Sequence, residues 1–124
     1  MSELRAVAGR KVYVEATLVR DGVAVDTTAA SFKAWFTLKE SKEDADADAV
    51  FAAEIGSGIL FNEPSSVAKN KLTITVTAAA TADYVQATDL CWDLVIDDPA
   101  SGRGPETIDQ GVLKLAAPVT RVAA

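Results

Sequence analysis

Three aspartates at alternate positions, Asp44, Asp46 and Asp48, lie in the stretch ESKEDADADA that runs from Glu40 to Ala49. Carboxylates in the first, third and fifth places open the loop that wraps a calcium ion in EF-hand proteins. Such a loop also needs a glycine in its sixth place, for a sharp turn, and a bidentate glutamate in its twelfth. Counted from Asp44, those places hold Ala49 and Ile55, and Glu54 comes one residue early. The bend and the closing ligand are both missing, so neither a metal nor another cofactor is expected. Ser41, three residues ahead of Asp44, instead marks a helix start with its hydroxyl as N-cap, and acidic residues in a first turn are favoured by the helix dipole. A short capped helix in a solvated acidic segment is the expectation.

The other residues that could react are few. The chain has no histidine, which removes Ser/His/Asp and Cys/His nucleophile activation, paired-histidine metalloprotease sites and zinc-finger pairs together. Cys91 is the single cysteine; with no base to activate it and no partner for an internal disulfide, it reads as a small, half-buried side chain. Asp93, Asp97 and Asp98 suggest paired carboxylates for glycoside hydrolysis, yet Asp93 and Asp97 alternate outward along one strand with no acidic strand assigned opposite, so solvated positions are expected for all three. Gly102-Arg103-Gly104 lacks the glycine spacing and strand-to-helix setting of a phosphate loop and reads as a turn. No catalytic residue is assigned, and an enzyme is not expected.

The elements that carry these residues are mostly strands. From Lys11 to Arg20, Val12, Val14, Ala16 and Leu18 alternate with Lys11, Tyr13, Glu15 and Thr17, and Asp21-Gly22 makes a turn. SFKAWFTLK places Phe32, Ala34, Phe36 and Leu38 on one face and Lys33, Trp35, Thr37 and Lys39 on the other. Val50 to Ile55 is a short strand, Gly56-Ser57-Gly58 a turn, Ile59 to Phe61 a further strand, and Asn62 to Asn70 a surface loop. KLTITVT alternates Leu72, Ile74 and Val76 with threonines, which suits a pleated surface. The alanine-rich stretch that follows, bounded by Thr81 and Asp83, reads as a helical turn between sheets. Leu90, Trp92, Leu94 and Ile96 then face inward against Cys91, Asp93, Val95 and Asp97. In the last strand, Ile108 and Leu113 are out of phase unless one residue bulges, and Gly111 is the natural choice. Six or seven short strands with turns about every ten residues, and one or two helical turns, predict an all-β antiparallel sandwich.

Size and charge narrow the function. A chain of 124 residues is one domain, with a core spanning about residues 9–121 and short terminal extensions. Its formal charge is −6, concentrated in the acidic segment, and neither nucleic acid nor an anionic membrane is an expected partner for such a surface. No apolar run approaches the roughly 18 residues that span a bilayer, and the N-terminal MSELRAVAGRK is too charged for a signal peptide, so folding in a cytoplasm is expected.

The order of these segments carries a resemblance. GRKVYVEATLVRDGVAVDTT, SFKAWFTLKES, DADADAVF, GSGILF, KLTITVTAAATADY, LCWDLVIDD and the closing GVLKLAAPVTR, from about Gly9 to Arg121, resemble the small immunoglobulin-like modules of tailed-bacteriophage structural proteins, the N-terminal domain of baseplate upper proteins among them. The resemblance implies an immunoglobulin-like sandwich, a virion location in tail, baseplate, neck or capsid decoration, no enzymatic activity, and partners that are copies of the chain and neighbouring virion proteins. The alternative is a free-standing sugar- or protein-binding sandwich. Strand phase points Trp35 and Tyr13 outward and Trp92 into the core, so Trp35, with Tyr13 second to it, is expected at a subunit contact of a homo-oligomer.

Overall fold

The computed structural model describes residues 2–20, 22–25, 32–60, 70–98, 102 and 104–118. It is all-β. The strands are β1 (Ser2–Val7), β2 (Val12–Thr17), β3 (Val19–Arg20), β4 (Val23–Ala24), β5 (Lys33–Lys39), β6 (Phe51–Ile55), β7 (Gly58–Leu60), β8 (Lys71–Val76), β9 (Thr88–Asp97) and β10 (Pro105–Ala116). A 3-10 turn spans Asp46–Asp48, and a single helical turn, α1, spans Ala78–Thr81. Eight strands form one sheet in the order β1-β10-β9-β5-β6-β7-β8-β2, and β3 and β4 pair as a short hairpin.

The eight-stranded sheet rolls into a sandwich. Strands β1, β10, β9, β5 and β6 make its front layer, and β7, β8 and β2 its back. The order β2-β8-β7 behind and β10-β9-β5-β6 in front is the B-E-D and G-F-C-C′ arrangement of an immunoglobulin-like fold. The layers join where β6 and β7 pair in parallel, Glu54 with Gly58 and Ile55 with Ile59.

Alternation places the core between the layers as the sequence predicts. Ala34, Phe36 and Leu38 of β5, Leu72, Ile74 and Val76 of β8, and Leu90, Trp92, Leu94 and Ile96 of β9 are all buried. Antibody domains link their layers by a disulfide packed on a tryptophan of strand C; here the aromatic contact stands alone. Phe36 on β5 stacks on Trp92 of β9 with ring centroids 5.8 Å apart and planes at 24°, and its other neighbour is Phe51 at 6.4 Å. The Trp92 indole N–H is buried and has no acceptor among the described residues, an omission that costs about 1–3 kcal/mol. Trp92 is held by its ring, not by its polar atom.

Four expectations need correction. The N-terminal stretch is no loose extension: β1 runs parallel to β10, from Ser2 opposite Gly111 to Val7 opposite Ala116. With it the main sheet has eight strands rather than six or seven, and it is mixed, because β1 with β10 and β6 with β7 are parallel pairs. The bulge in β10 falls between Thr107 and Asp109, so Ile108 is the extra residue, and Gly111 sits in regular register opposite Trp92. The acidic segment forms only a 3-10 turn instead of a capped helix. The expected loop at 62–70 lies, except for Asn70, outside the described residues.

Candidate interaction faces

The acidic segment, which joins β5 to β6, is held by bonds within itself. Asp44 accepts the Ser41 backbone N–H at 3.2 Å, and its own N–H donates to the Ser41 carbonyl at 3.0 Å. The first is one half of a capping box, the carboxylate reaching back to the N-cap N–H; the second is the backbone bond of a single turn, with no helix behind it. The Ser41 hydroxyl donates to the Glu43 carboxylate, and Lys39 Nζ donates to the Asp44 carbonyl at 2.9 Å. The hydroxyl bond is the chief reason that the Glu43 pKa falls below the ordinary value of 4.5, with its own backbone N–H and Lys42 adding to it. At the far side of the segment, Tyr84 has its pKa raised, first by burial and then by the negative charge of Glu40. Among the described residues no three acidic, cysteine or histidine side chains gather as metal ligands.

The aspartates of β9 separate into two environments. Asp93 and Asp97 lie on the outer front face, across from Thr37 and Lys33 of β5. Asp98, expected in solvent, is buried and has an interaction partner within the fold; it follows the last residue of β9, where the in-out alternation carries it to the inner side. Cys91 is half-buried on the outer face, between Lys39 and Val112 on the flanking strands. Gly102 and Gly104 have φ of +66° and +73°, the left-handed backbone of a turn; Arg103 lies outside the described residues.

Trp35 and Tyr13 both point outward, as strand phase predicts, but from opposite layers. Tyr13 of β2 is 66 % exposed on the back, beside Thr75 of β8, with Lys11 Nζ 6.0 Å from its ring centroid. That position leaves it among threonines and the Lys71–Glu15 ion pair, 3.5 Å apart. Trp35 of β5 lies on the front, flanked in register by Glu54 of β6 and Val95 of β9, and is half-buried. The two cannot belong to one contact patch.

Around Trp35 the front sheet forms a shallow depression of about 510 Å³ whose walls include Ala52, Glu54, Ser57, Val95 and Pro105. Thr37 and Asp93 also line it, and beyond it the face is mainly polar, with Lys33, Lys39, Asp97 and Gln110 beside Cys91 and Val112 in the outward phase of their strands. The sequence alone shows that Trp35 faces out. It does not show that Val95 and Pro105 gather beside it, because that grouping comes from strand pairing.

No protein-family model and no curated protein matches the sequence. Among solved structures the chain is similar to the NK cell receptor Nkp44, described as a triggering partner in natural cytotoxicity. The TM-score is 0.47 and the identity 14%, over 94% of this chain and 96% of that one.

Proposed function

We propose that this chain is a non-enzymatic structural component of a tailed-phage virion, in the tail, baseplate, neck or capsid surface, acting through contacts with copies of itself and with neighbouring virion proteins. The observation that carries the proposal is Trp35. A large aromatic with Val95 and Pro105 beside it, on a face that also carries Lys33, Thr37, Lys39, Asp93, Asp97 and Gln110, has the composition of a contact centre with a mainly polar rim. The order of strand segments, which resembles phage structural modules, supplies the particle. Mass spectrometry of purified phage particles from a host that carries the gene tests the assignment. The chain should be present in structural amounts, and particles that lack it would refute the role.

A second reading draws on the same depression. Glu54, Ser57, Thr37 and Asp93 surround the indole with hydrogen-bonding groups, an arrangement that also suits a free-standing sugar-binding sandwich. A strictly monomeric protein with saturable glycan binding, abolished by Trp35→Ala, would favour that reading over the virion.

A further inference from the structure

The rolled sheet is closed on one side by the β6–β7 pairing and open on the other, where its two end strands, β1 and β2, face each other without pairing. These strands leave a common turn. Ala8 is buried and bonded to the Ala116 carbonyl at 3.0 Å, and Gly9 N–H donates to the Thr81 hydroxyl at 2.9 Å. From that turn β1 follows the front layer and β2 the back, and a cleft of about 630 Å³ lies between the layers, lined by Leu4, Val14, Ala16, Leu94 and the bulged Ile108 among others.

The opening leaves a gradient of burial across the back layer. Leu72, Ile74 and Val76 of β8 are at most 1 % exposed, whereas their inward-facing partners on β2, Ala16, Val14 and Val12, are only half-buried. Leu4 and Ala6 of β1 are half-buried too. All six residues of β2 pair with β8 on one side. Among the described residues no strand pairs with the other side, so an edge about 20 Å long presents backbone donors and acceptors beside an apolar cleft. Among the described residues the lining carries three acidic residues, Glu15, Glu106 and Asp109, and no lysine or arginine; Glu15 pairs with Lys71 on the outer face at 3.5 Å, and Glu106 and Asp109 are held by interactions within the fold.

We infer that this cleft receives an extended basic segment of another protein chain, which adds to β2 as a further strand and sets alternate apolar side chains between the layers. Strand addition completes the hydrogen bonding of β2 and covers the half-buried residues together. A small apolar ligand would fill the cleft and leave the edge to water. A second copy paired β2 to β2 would bring Glu15 and its mate onto one edge, whereas a segment with lysine or arginine has the charge complementary to the acidic residues of the lining. The groove lies away from the Trp35 face, so the inference stands whether or not the chain is a virion part.

The test uses Trp35→Phe, which leaves Trp92, one of the cleft's lining residues, as the only tryptophan. The probe is a capped heptapeptide in which valine and threonine alternate between two terminal lysines. Its titration should shift Trp92 emission saturably and slow amide exchange along Val12–Thr17. Of two N-methylated forms, one blocked at the valines and one at the threonines, one should bind about tenfold more weakly, since it can no longer bond the edge. Glutamate in place of both lysines should weaken binding by a similar factor. Absence of binding at millimolar peptide overturns the inference. Equal binding of both N-methylated forms also overturns it, in favour of a small apolar ligand. Protection of β2 that rises with protein concentration in the absence of peptide overturns it in favour of a second copy.

Discussion

The turn between β6 and β7 closes the sandwich, and two glycines in it allow that closure to be measured. Gly56 and Gly58 have almost the same backbone, φ +92° and +91°, a region that side chains other than glycine rarely enter. They differ in what a side chain would meet. A Cβ on Gly56 finds nothing within 4 Å, whereas one on Gly58 would stand 2.8 Å from the Ala53 Cβ and 3.7 Å from Phe51 Cζ. Gly56→Ala should therefore cost the conformational term alone, about 1–2 kcal/mol. Gly58→Ala carries the same term and must also push β6 away from β7. Ala53 is buried and paired with Phe36, so it cannot step aside without disturbing the core, and overpacking of this kind adds about 1–3 kcal/mol. In urea unfolding followed by fluorescence and circular dichroism, Gly58→Ala should have its midpoint about 1 M below that of Gly56→Ala, for a slope near 1.5 kcal/mol/M. Midpoints that coincide would show that β6 and β7 do not meet as described, and the rolled sheet would lose its closed side.

Other expected outcomes concern the core and the acidic segment. Trp92→Ala should cost about 3–5 kcal/mol as a large-to-small core change, while Trp92→Phe should cost far less, because it keeps a ring against Phe36 and removes the unbonded N–H; equal losses in chemical denaturation would contradict the stacked arrangement. Melting should be the same in chelator and in millimolar calcium, since a native-state ligand at a hundredfold excess over its Kd adds about 2.7 kcal/mol; a rise of several degrees would restore the aspartates as a site. Glu43 has a folded pKa below its unfolded value, so its small contribution to stability is present above the unfolded pKa and is lost as pH falls through the folded one. Carbon-detected titration should place Glu43 below an ordinary glutamate, and Ser41→Ala should return most of the shift; an unchanged value would remove the hydroxyl as its cause.

Strand phase was legible wherever one face is buried, because a single-residue slip would turn every side chain over. Hence β5, β8 and β9, with Trp92 inward and Trp35 and Cys91 outward, could be read from alternation alone. β1 was not, since Leu4 and Ala6 alternate with Glu3 and Arg5 over only six residues and the strand is stabilised by β10, more than a hundred residues later. The last strand plainly needed one extra residue, but its position is set by register against β9, which places it at Ile108 and not at the more permissive Gly111. The outward phases of Trp35 and Tyr13 were also legible. Which layer each belongs to is a matter of strand order, as is the cleft between β1 and β2, and neither leaves a local mark in the sequence. The Ser41 and Asp44 pairing was readable as a cap; in place of the helix it should begin, the segment makes two separate turns, one closed from Asp44 to Ser41 and the 3-10 turn at Asp46–Asp48, before β6 starts at Phe51.

The proposed role depends most directly on the Trp35 face, and sedimentation velocity of the wild-type chain beside Trp35→Ala tests it. The wild type should associate in a concentration-dependent manner. The variant should keep the wild-type circular dichroism and melting temperature but dissociate with a constant about thirtyfold higher, the equivalent of about 2 kcal/mol for a contact-centre aromatic. A wild-type chain that stays monomeric at all concentrations, or a variant that associates equally well, would contradict a subunit contact at Trp35.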